Sequence, residues 1–176
     1  MIWESHYWKN DLLKQAESLR KRKQQRRWSE VSFARVEQTV MLGFYSIRKL
    51  IEAAKLSNTT VDQQLQLATY PWRGNKPVHK MNWHKIDELY DLSSSSQEDR
   101  DLLFICHQIV HSFVFILSFD DEDGGLAGLL FTSDRHRHQQ LYGLGIDRVI
   151  GLFEQVGKDY PNQMSGRFNP DTQDWE

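Results

Sequence analysis

The chain has 176 residues and a mass of 20.8 kDa, a length that fits one globular domain with a single core. Hydrophobic residues make up 39% of the chain and charged residues 26%, and the mean hydropathy is -0.64, which argues against a disordered or collagen-like protein. The formal net charge of -2 does not mark the whole chain as a nucleic-acid binder.

Residues 113–119 are the longest apolar run, and they include Ser118. A membrane helix needs about 20 uninterrupted apolar residues, so no membrane-spanning helix is predicted. The first residues lack the basic start and apolar run of a secretory signal, and the lone Cys106 cannot form an internal disulfide. We therefore expect a cytoplasmic protein with no membrane partner.

Two amphipathic helices are predicted in the first third of the chain. Residues 8–27 carry leucines at helical spacing and end in a basic run. Ser29 is the predicted N-cap of a second helix, in which apolar residues recur every three or four positions as far as Ala54. This second pattern is the strongest helical pattern in the sequence.

The hydrophobic period changes after the second helix. Residues 65–69 alternate between apolar and polar as a strand does, and residues 70–77 are typical of a turn. Residues 78–82 are predicted either to pair back on this strand or to form part of an extended excursion. One short helix is predicted over residues 83–92, before a flexible loop of serines at 93–96.

A third long helix is predicted from Gln97 to about Ser112, with an apolar face that includes Cys106. Residues 113–119 are rich in β-branched and aromatic side chains and predict a strand directly after this helix. A turn, a second strand, a third strand and a closing helix are then predicted over residues 120–125, 126–132, 140–144 and 147–158.

These elements predict an α+β fold that is mostly α. It consists of a helical bundle, a small antiparallel β meander that continues from the third helix, and a C-terminal helix packed on the sheet. Residues 1–160 are predicted to form a single globular domain. Residues 161–176, with two prolines and many polar side chains, are predicted to form a C-terminal tail, either a surface strap or a disordered segment.

Two histidines and an arginine share one stripe of the predicted third helix. A helical rotation of about 100° per residue places Arg100, His107 and His111 together, opposite the apolar face. One interpretation of this stripe is a solvated helix face. The other is a catalytic face, because a histidine moves protons at neutral pH and an arginine stabilises a phosphorane-like transition state.

The segment from Cys106 to His111 resembles the RNase motif of the HEPN superfamily, in which an arginine, a polar residue and three others precede a histidine. His111 matches the terminal histidine, and His107 matches the polar second position. Cys106 stands where the family has arginine. Arg100 on the same stripe and Arg48 on the second helix are the candidates for the missing arginine.

This resemblance implies both an activity and an assembly. HEPN domains pair as dimers, which brings two motifs together to cleave RNA without a metal. In this chain His111 would act as general acid or base, His107 would assist or orient it, and Arg100 would stabilise phosphate charge. The resemblance therefore implies a HEPN-like, RNA-associated or defence-type domain, a candidate metal-independent endoribonuclease with a degenerate motif.

A metal site is the competing interpretation of the two histidines. His107 and His111 are four positions apart, a spacing that can place both imidazoles on one ion. The segment between them lacks the glutamate of the zinc-protease helix motif, and the sequence specifies no third ligand. No metal or other cofactor is predicted.

A basic run ends the first predicted helix. It either grips phosphates, with a tryptophan available for base stacking, or is a charged helix end that favours the helix dipole. Residues 135–138 likewise predict either a second phosphate-binding segment or a polar turn. The candidate nucleic-acid-binding residues of the run are Arg20, Lys21, Arg22, Lys23, Arg26, Arg27 and Trp28.

A homodimer is predicted from the aromatic content. Six tryptophans and nine phenylalanines are more aromatic surface than one small domain is expected to hide. In this dimer the two copies of the third helix approach each other, so that one His111 faces the other, and RNA is the expected partner. The alternative function is a non-catalytic protein-interaction module that forms a homodimer and takes another protein as partner. Whether the chain is an enzyme stays open at this point.

Overall fold

The structure is a computed structural model that describes residues 2–120, 124–161, 168–171 and 174–175. The helices are α1 (Ser5–Lys23), α2 (Glu30–Glu52), α3 (Asn58–Val61), α4 (Ile86–Leu89), α5 (Leu102–Val110) and α6 (Ile146–Lys158). The strands are β1 (Gln64–Pro71), β2 (Ser96–Asp101), β3 (Ser112–Phe119), β4 (Leu126–Ser133), β5 (Gln140–Gly145), β6 (Phe168–Asn169) and β7 (Asp174–Trp175).

The first five strands form one antiparallel sheet, in the order β2-β1-β5-β4-β3. The predicted meander of three consecutive strands is confirmed as β3, β4 and β5. β1 pairs with β5, and β2 pairs with β1, so residues that precede the meander in the chain extend the sheet. β2 and β3 are therefore the two edges of this sheet.

Four helices cover one face of the sheet. α5 and α6 contact β4, α1 packs against α6 and α2, and α2 packs against α5. Buried apolar residues of these helices and of β1, β4 and β5 form one core. The predicted α+β class is confirmed. A helical bundle is not confirmed, because the helices share their core with the sheet. The largest residues of this core include Phe44, Phe131, Tyr142 and Phe153.

A buried lysine joins the ends of three elements on the helical side. Lys9 of α1 is fully buried, and its Nζ donates to the carbonyl oxygen of Lys55, just beyond α2, at 2.7 Å and to that of Asp159, the C-cap of α6. Burial lowers the pKa of this amino group. The lysine satisfies two backbone carbonyl groups that lie just beyond the ends of α2 and α6, and so fixes α1 against those ends.

The segment between β1 and β2 covers part of the other face of the sheet. It is an excursion and not a hairpin, because residues 78–82 form no strand and the strand pairing at its base is limited to a bridge between Trp72 and Tyr90. The predicted short helix over residues 83–92 is reduced to the four residues of α4. A second core lies under this segment and consists of Val78, Leu89, Tyr90, Val114 and Leu141.

The predicted third long helix is wrong over its first five residues. Residues 96–101 form strand β2, and α5 begins only at Leu102. The carboxylate of Asp101 accepts the backbone N–H of Phe104 at 2.7 Å, which caps the helix at this point. The preceding residues pair with β1 instead, since tertiary pairing outweighs the modest helical propensity of polar residues.

The remaining helices lie close to their predicted positions. Ser29 is confirmed as the N-cap of α2, where its hydroxyl accepts the backbone N–H of Ser32 at 3.3 Å. α1 ends at Lys23, before the end of the basic run. The predicted tail over residues 161–176 and the turn over residues 120–125 lie partly outside the described residues. None of the helices described is both long and apolar enough to cross a membrane.

Candidate functional site

The end of α5 places the two predicted histidines side by side. His107 lies in the last turn, and His111 is the C-cap, whose backbone N–H donates to the carbonyl oxygen of His107 at 3.1 Å. The centroids of the two imidazole rings are 4.8 Å apart. His107 is half-buried and His111 is exposed. The predicted pairing of these two side chains is therefore present, although the helix that carries them is shorter than expected.

An arginine from α2 contacts this pair. Nη1 of Arg48 lies 3.0 Å from Nε2 of His111, and Nε of the same arginine donates to Glu52 at 2.8 Å. A guanidinium only donates hydrogen bonds, so Nε2 of His111 accepts and its ring proton lies on Nδ1. Arg48 was one of the two candidates for the missing arginine of the motif, and it is the one that contacts His111.

A third histidine is held by a buried glutamine. Gln108 is fully buried, and its Oε1 accepts the backbone N–H of Ser133 at 2.9 Å. Its Nε2 must then donate to Nδ1 of His136, which is 2.9 Å away, and the hydroxyl of Ser133 lies 3.1 Å from the same nitrogen. Nδ1 of His136 therefore carries no proton, and its Nε2 carries the N–H. This arrangement fixes one neutral tautomer of the ring.

Arg100 lies on β2 and not on the helix, so the helical stripe that joined it to the histidines is wrong. Its guanidinium forms an ion pair with Glu98, and its Cζ lies 4.5 Å from the ring centroid of Phe104. The Phe104 ring lies in turn 5.7 Å from the ring of His136. Arg100 therefore borders the site next to His136, while no contact joins it to His107 or His111 among the residues described.

We name His107, His111, His136, Arg48 and Arg135 the histidine cluster. Burial lowers the pKa of His107, and electrostatic repulsion of a proton on this ring by the rest of the cluster lowers it further. Burial also lowers the pKa of His136, with further contributions from nearby arginines including Arg135. Both rings are therefore neutral at pH 7, in a setting that carries positive charge.

Two members of the cluster are open to a ligand. Arg135 is exposed, and its guanidinium meets no carboxylate among the described residues. The imidazole nitrogens of His107 likewise form no hydrogen bond within the part of the chain that the structure describes. An unpaired cation next to a neutral imidazole with a free lone pair is a setting in which an anionic group can be bound and a proton removed from it.

Carboxylates contact several cations of the basic run at the end of α1. Nζ of Lys23 lies 2.7 Å from Asp147, Arg20 pairs with Glu154 and with Glu17, and Lys21 lies 3.4 Å from Glu17. Arg20, Lys23 and Arg26 also line a groove of about 700 Å³ between α1 and α6. Of the other predicted residues, Arg22 donates to Gln25, Arg26 donates to the carbonyl oxygen of Lys23 at 3.3 Å, and Arg27 is exposed.

Trp28, the predicted stacking residue, contacts other aromatic rings. Its ring centroid lies 5.5 Å from that of Phe33 and 4.9 Å from that of Phe119, and its indole N–H donates to the carbonyl oxygen of Gly124 at 3.2 Å. Phe119 is the last residue of β3, and His111 is the residue just before this strand begins. An extended strand of this length spans about 24 Å, so the basic run and the histidine cluster lie at opposite ends of β3.

The structure of α5 and its C-cap also bears on two other roles, that of Cys106 as a nucleophile and that of His107 and His111 as metal ligands. Cys106 is fully buried, and burial raises the pKa of its thiol to about 12, which makes it a poor nucleophile. Within the described ranges, no group of three or more histidine, cysteine, aspartate or glutamate side chains is arranged to hold a metal ion. His107 and His111 therefore lack a third ligand of these types among the described residues.

Sequence reasoning missed the roles of His136 and Gln108. The sequence predicts either a phosphate-binding segment or a polar turn over residues 135–138, and they form a turn between β4 and β5. No spacing connects this turn to Gln108, because the two come together only when α5 packs on β4. The polar Gln108, among the apolar residues of α5, is the one signal that could have indicated a buried hydrogen-bond network.

Comparison of the chain with protein-family models, with curated proteins and with solved structures finds no match. The resemblance to the HEPN superfamily therefore stays a prediction.

Proposed function

We propose that the histidine cluster binds the phosphate backbone of RNA and cleaves it without a metal ion. The observation that carries this proposal is the neutral imidazole of His107, which has no hydrogen-bond partner among the described residues, together with Arg135, which meets no described carboxylate, and two imidazoles whose N–H groups are positioned by neighbours. Such a set supplies a base, hydrogen-bond donors and positive charge, which are the groups that phosphodiester transfer requires.

His107 is the general base of this proposal. Its lowered pKa keeps the ring unprotonated at neutral pH, and no described residue occupies either nitrogen. The HEPN resemblance gives His111 the role of general acid or base and gives His107 an assisting role. Nε2 of His111 accepts a hydrogen bond from Arg48, so its lone pair is not available as a base, and His111 keeps only the role of general acid.

Arg48 and His111 bind the phosphate, and His111 also donates a proton to the leaving group. A phosphate oxygen placed between them would accept from both side chains, which replaces their hydrogen bond to each other. Nε2 of His111 is then free to take up a proton from solvent, to which the ring is exposed. The protonated ring is stabilised by the bound phosphate, and it can pass a proton to the departing oxygen.

His136 and Arg135 stabilise the charge of the transition state. A proton on Nδ1 of His136 would displace the hydrogen bond from Gln108, so the ring stays neutral and donates from Nε2. A neutral imidazole that donates a hydrogen bond is an established way to polarise a reacting oxygen. Arg135 adds a permanent charge with several donors in a fixed plane.

The reaction is an internal transfer at one phosphodiester. His107 removes the proton of the 2′-hydroxyl, and the 2′-oxygen forms a bond to phosphorus. The bond from phosphorus to the 5′-oxygen breaks, and that oxygen takes a proton from His111. The products are a 2′,3′-cyclic phosphate and a free 5′-hydroxyl. We propose that the chain shares this reaction with HEPN-like, defence-type domains, and we do not propose that it shares the helical bundle of that superfamily.

Cleavage of a labelled single-stranded RNA in excess EDTA tests the proposal. The full chain is expected to produce fragments that end in 2′,3′-cyclic phosphate, which mass spectrometry identifies, and to leave DNA of the same sequence intact. His107→Ala is expected to lower the rate about 10²-fold to 10⁴-fold, the usual effect of losing a general base. His84→Ala is the matched control, since His84 is an exposed histidine outside the cluster.

Three outcomes contradict the proposal. Equal activity of the His107 and His84 variants would show that the cleavage does not arise from this cluster. Cleavage that EDTA abolishes and zinc restores would show a metal-dependent reaction. RNA that is neither bound nor cleaved would remove the RNA function and leave the protein-interaction module as the better account of the chain.

A further inference from the structure

The two edges of the five-stranded sheet have different chemistry. β2 forms one edge and carries Glu98, Asp99, Arg100 and Asp101 in six residues. β3 forms the other edge, and it is apolar over its eight residues except for two serines. Natural sheets protect an edge with charged residues, proline or a short strand, because its unpaired backbone groups accept any further strand. β2 has this protection, and β3 does not.

The backbone of β3 has one free side in the part of the chain that the structure describes. β3 pairs with β4, and no other described strand lies next to it. Its pairing with β4 is irregular near both ends, between Ser112 and Val114 and between Ser118 and Phe119, and it is regular over residues 114–118. The middle of the strand therefore offers a regular row of N–H and C=O groups.

Side chains on both faces of β3 are only partly buried. Phe115 and Leu117 pack toward the helical core, whereas Ile116 packs toward the second core on the opposite face. All three are half-buried, and Val114 alone is fully buried. Partial exposure of residues that point to opposite faces indicates that solvent reaches them from the side of the strand. A strand added at this edge would cover both sets.

We infer that a second copy of this chain pairs with β3 edge to edge, so that the two sheets continue into one antiparallel sheet. Charge favours this edge for self-pairing, because two copies of the uncharged β3 meet no like charges, whereas two copies of β2 would bring their acidic residues together. A twofold axis through the centre of the regular stretch places Ile116 opposite the partner's Ile116.

The inferred dimer keeps the two histidine clusters apart. His111 lies five positions before Ile116 on each copy, so the two His111 residues are separated by about 34 Å in an antiparallel pair at 3.4 Å per residue. This differs from the sequence-based expectation that the third helices meet and that one His111 faces the other. Each copy would then act as an independent site, and the interface does not depend on the proposed function.

Cross-linking of the full chain tests the position of the axis. Opposite residues of an antiparallel pair have Cβ atoms about 5 Å apart, which is close to the separation that a disulfide needs. Ile116→Cys is expected to form a disulfide-linked dimer under mild oxidation. Leu103→Cys is the matched control, because Leu103 is 47% exposed but lies on α5, and it is expected to remain a monomer on a denaturing gel. The native Cys106 is buried in both variants.

Charged variants test the edge without a cross-link. Ile116→Lys and Ile116→Glu are each expected to be folded monomers by light scattering and circular dichroism, while an equimolar mixture forms a heterodimer. Asp99→Lys on the opposite edge is expected to remain a dimer. A monomeric wild-type chain over the whole accessible concentration range would overturn the inference. A wild-type dimer that neither cross-links through position 116 nor dissociates with these charges would place the interface elsewhere, which overturns it equally.

Discussion

The basic end of α1 and the histidine cluster are both rich in cations, but they differ in what surrounds those charges. At the end of α1, Lys23 lies 2.7 Å from Asp147, and Arg20 pairs with Glu154. In the histidine cluster, Arg135 meets no carboxylate among the described residues. The charge pattern of the basic run therefore overstates the charge that Arg20 and Lys23 can offer a ligand.

This difference shows that a basic run in the sequence predicts positive charge, but not whether that charge is free to bind a ligand. The carboxylates that pair with Arg20 and Lys23 lie on α6, at separations of 134 and 124 residues along the chain. No local pattern connects these positions. Conversely, the histidine cluster combines one residue of α2, two from the end of α5 and two from the turn after β4, and no local pattern connects these three segments.

The two regions also differ in how firmly their side chains are held. The ion pairs at the end of α1 are largely exposed, and such pairs contribute about 0 to 1 kcal/mol each. In the histidine cluster, His136 is fixed by the fully buried Gln108, whose orientation is set in turn by the backbone of Ser133. Removal of a partner from a buried network is far more costly than removal of a surface pair.

The largest expected effect is therefore that of Gln108→Leu. This change keeps the volume of the side chain but leaves the N–H of Ser133 without its acceptor and Nδ1 of His136 without one donor. We expect the free energy of unfolding in urea to fall by about 2 to 4 kcal/mol, because each unsatisfied buried group costs about 1 to 3 kcal/mol. Gln24→Leu, at the exposed C-cap of α1, is the control and should change stability by less than about 0.5 kcal/mol.

An unchanged stability of Gln108→Leu would contradict this contrast between a buried network and surface ion pairs. An equally large fall in the free energy of unfolding of Arg20→Gln would also contradict this contrast, because Arg20 belongs to the surface ion pairs.

The sequence predicts the helices and the meander well, since their signals are local. Apolar residues every three or four positions define α2 and α6, and Ser29 marks the start of α2. The first five residues of the predicted third helix are wrong because residues 96–101 have no local signal for a strand. They become β2 through pairing with β1, where Leu67 lies opposite Glu98, and a single sequence gives little indication of such long-range pairing.

The site is predictable to a similar extent and for the same reason. His107 and His111 are four positions apart on one helix, so their proximity follows from helical geometry. Arg48 was only one of two candidates for the missing arginine, and its contact with His111 depends on how α2 packs against α5. His136 joins the cluster only through Gln108, a contact between a helix and a turn that no periodicity encodes.

Binding of RNA separates the two basic regions directly. Arg135→Gln is expected to raise the Kd of a single-stranded RNA about tenfold, because a hydrogen bond to a charged group contributes about 1.5 kcal/mol. It should also lower the slope of log Kd against log salt by about 0.7, the value for one phosphate contact on a single strand. Lys23→Gln removes a charge that Asp147 already pairs, so its effect on Kd should be less than about twofold. Fluorescence anisotropy at several salt concentrations measures both quantities.

The opposite ranking would refute the argument from charge pairing. If Lys23→Gln weakens binding more than Arg135→Gln does, the RNA lies on the end of α1, and the ion pairs with α6 must open to admit it.

The smallest expected effect is a difference in acid sensitivity. Unfolded histidines take up protons near pH 6.5, whereas burial lowers the pKa of His107 and His136 in the folded protein. The unfolded state then binds more protons as the pH falls below about 6.5, so the free energy of unfolding decreases there, by at most about 1.4 kcal/mol per pH unit for each histidine. Arg20 lowers the pKa of Glu154, so the contribution of this ion pair to stability is present above the usual carboxyl range and is lost only at more acidic pH.

Urea unfolding at pH 7.5 and pH 5.5 should therefore show a loss of stability that His107→Gln reduces and Arg20→Gln leaves unchanged. If the two variants show the same loss as the wild type, His107 does not titrate as the cluster requires, and its role as the general base fails with it.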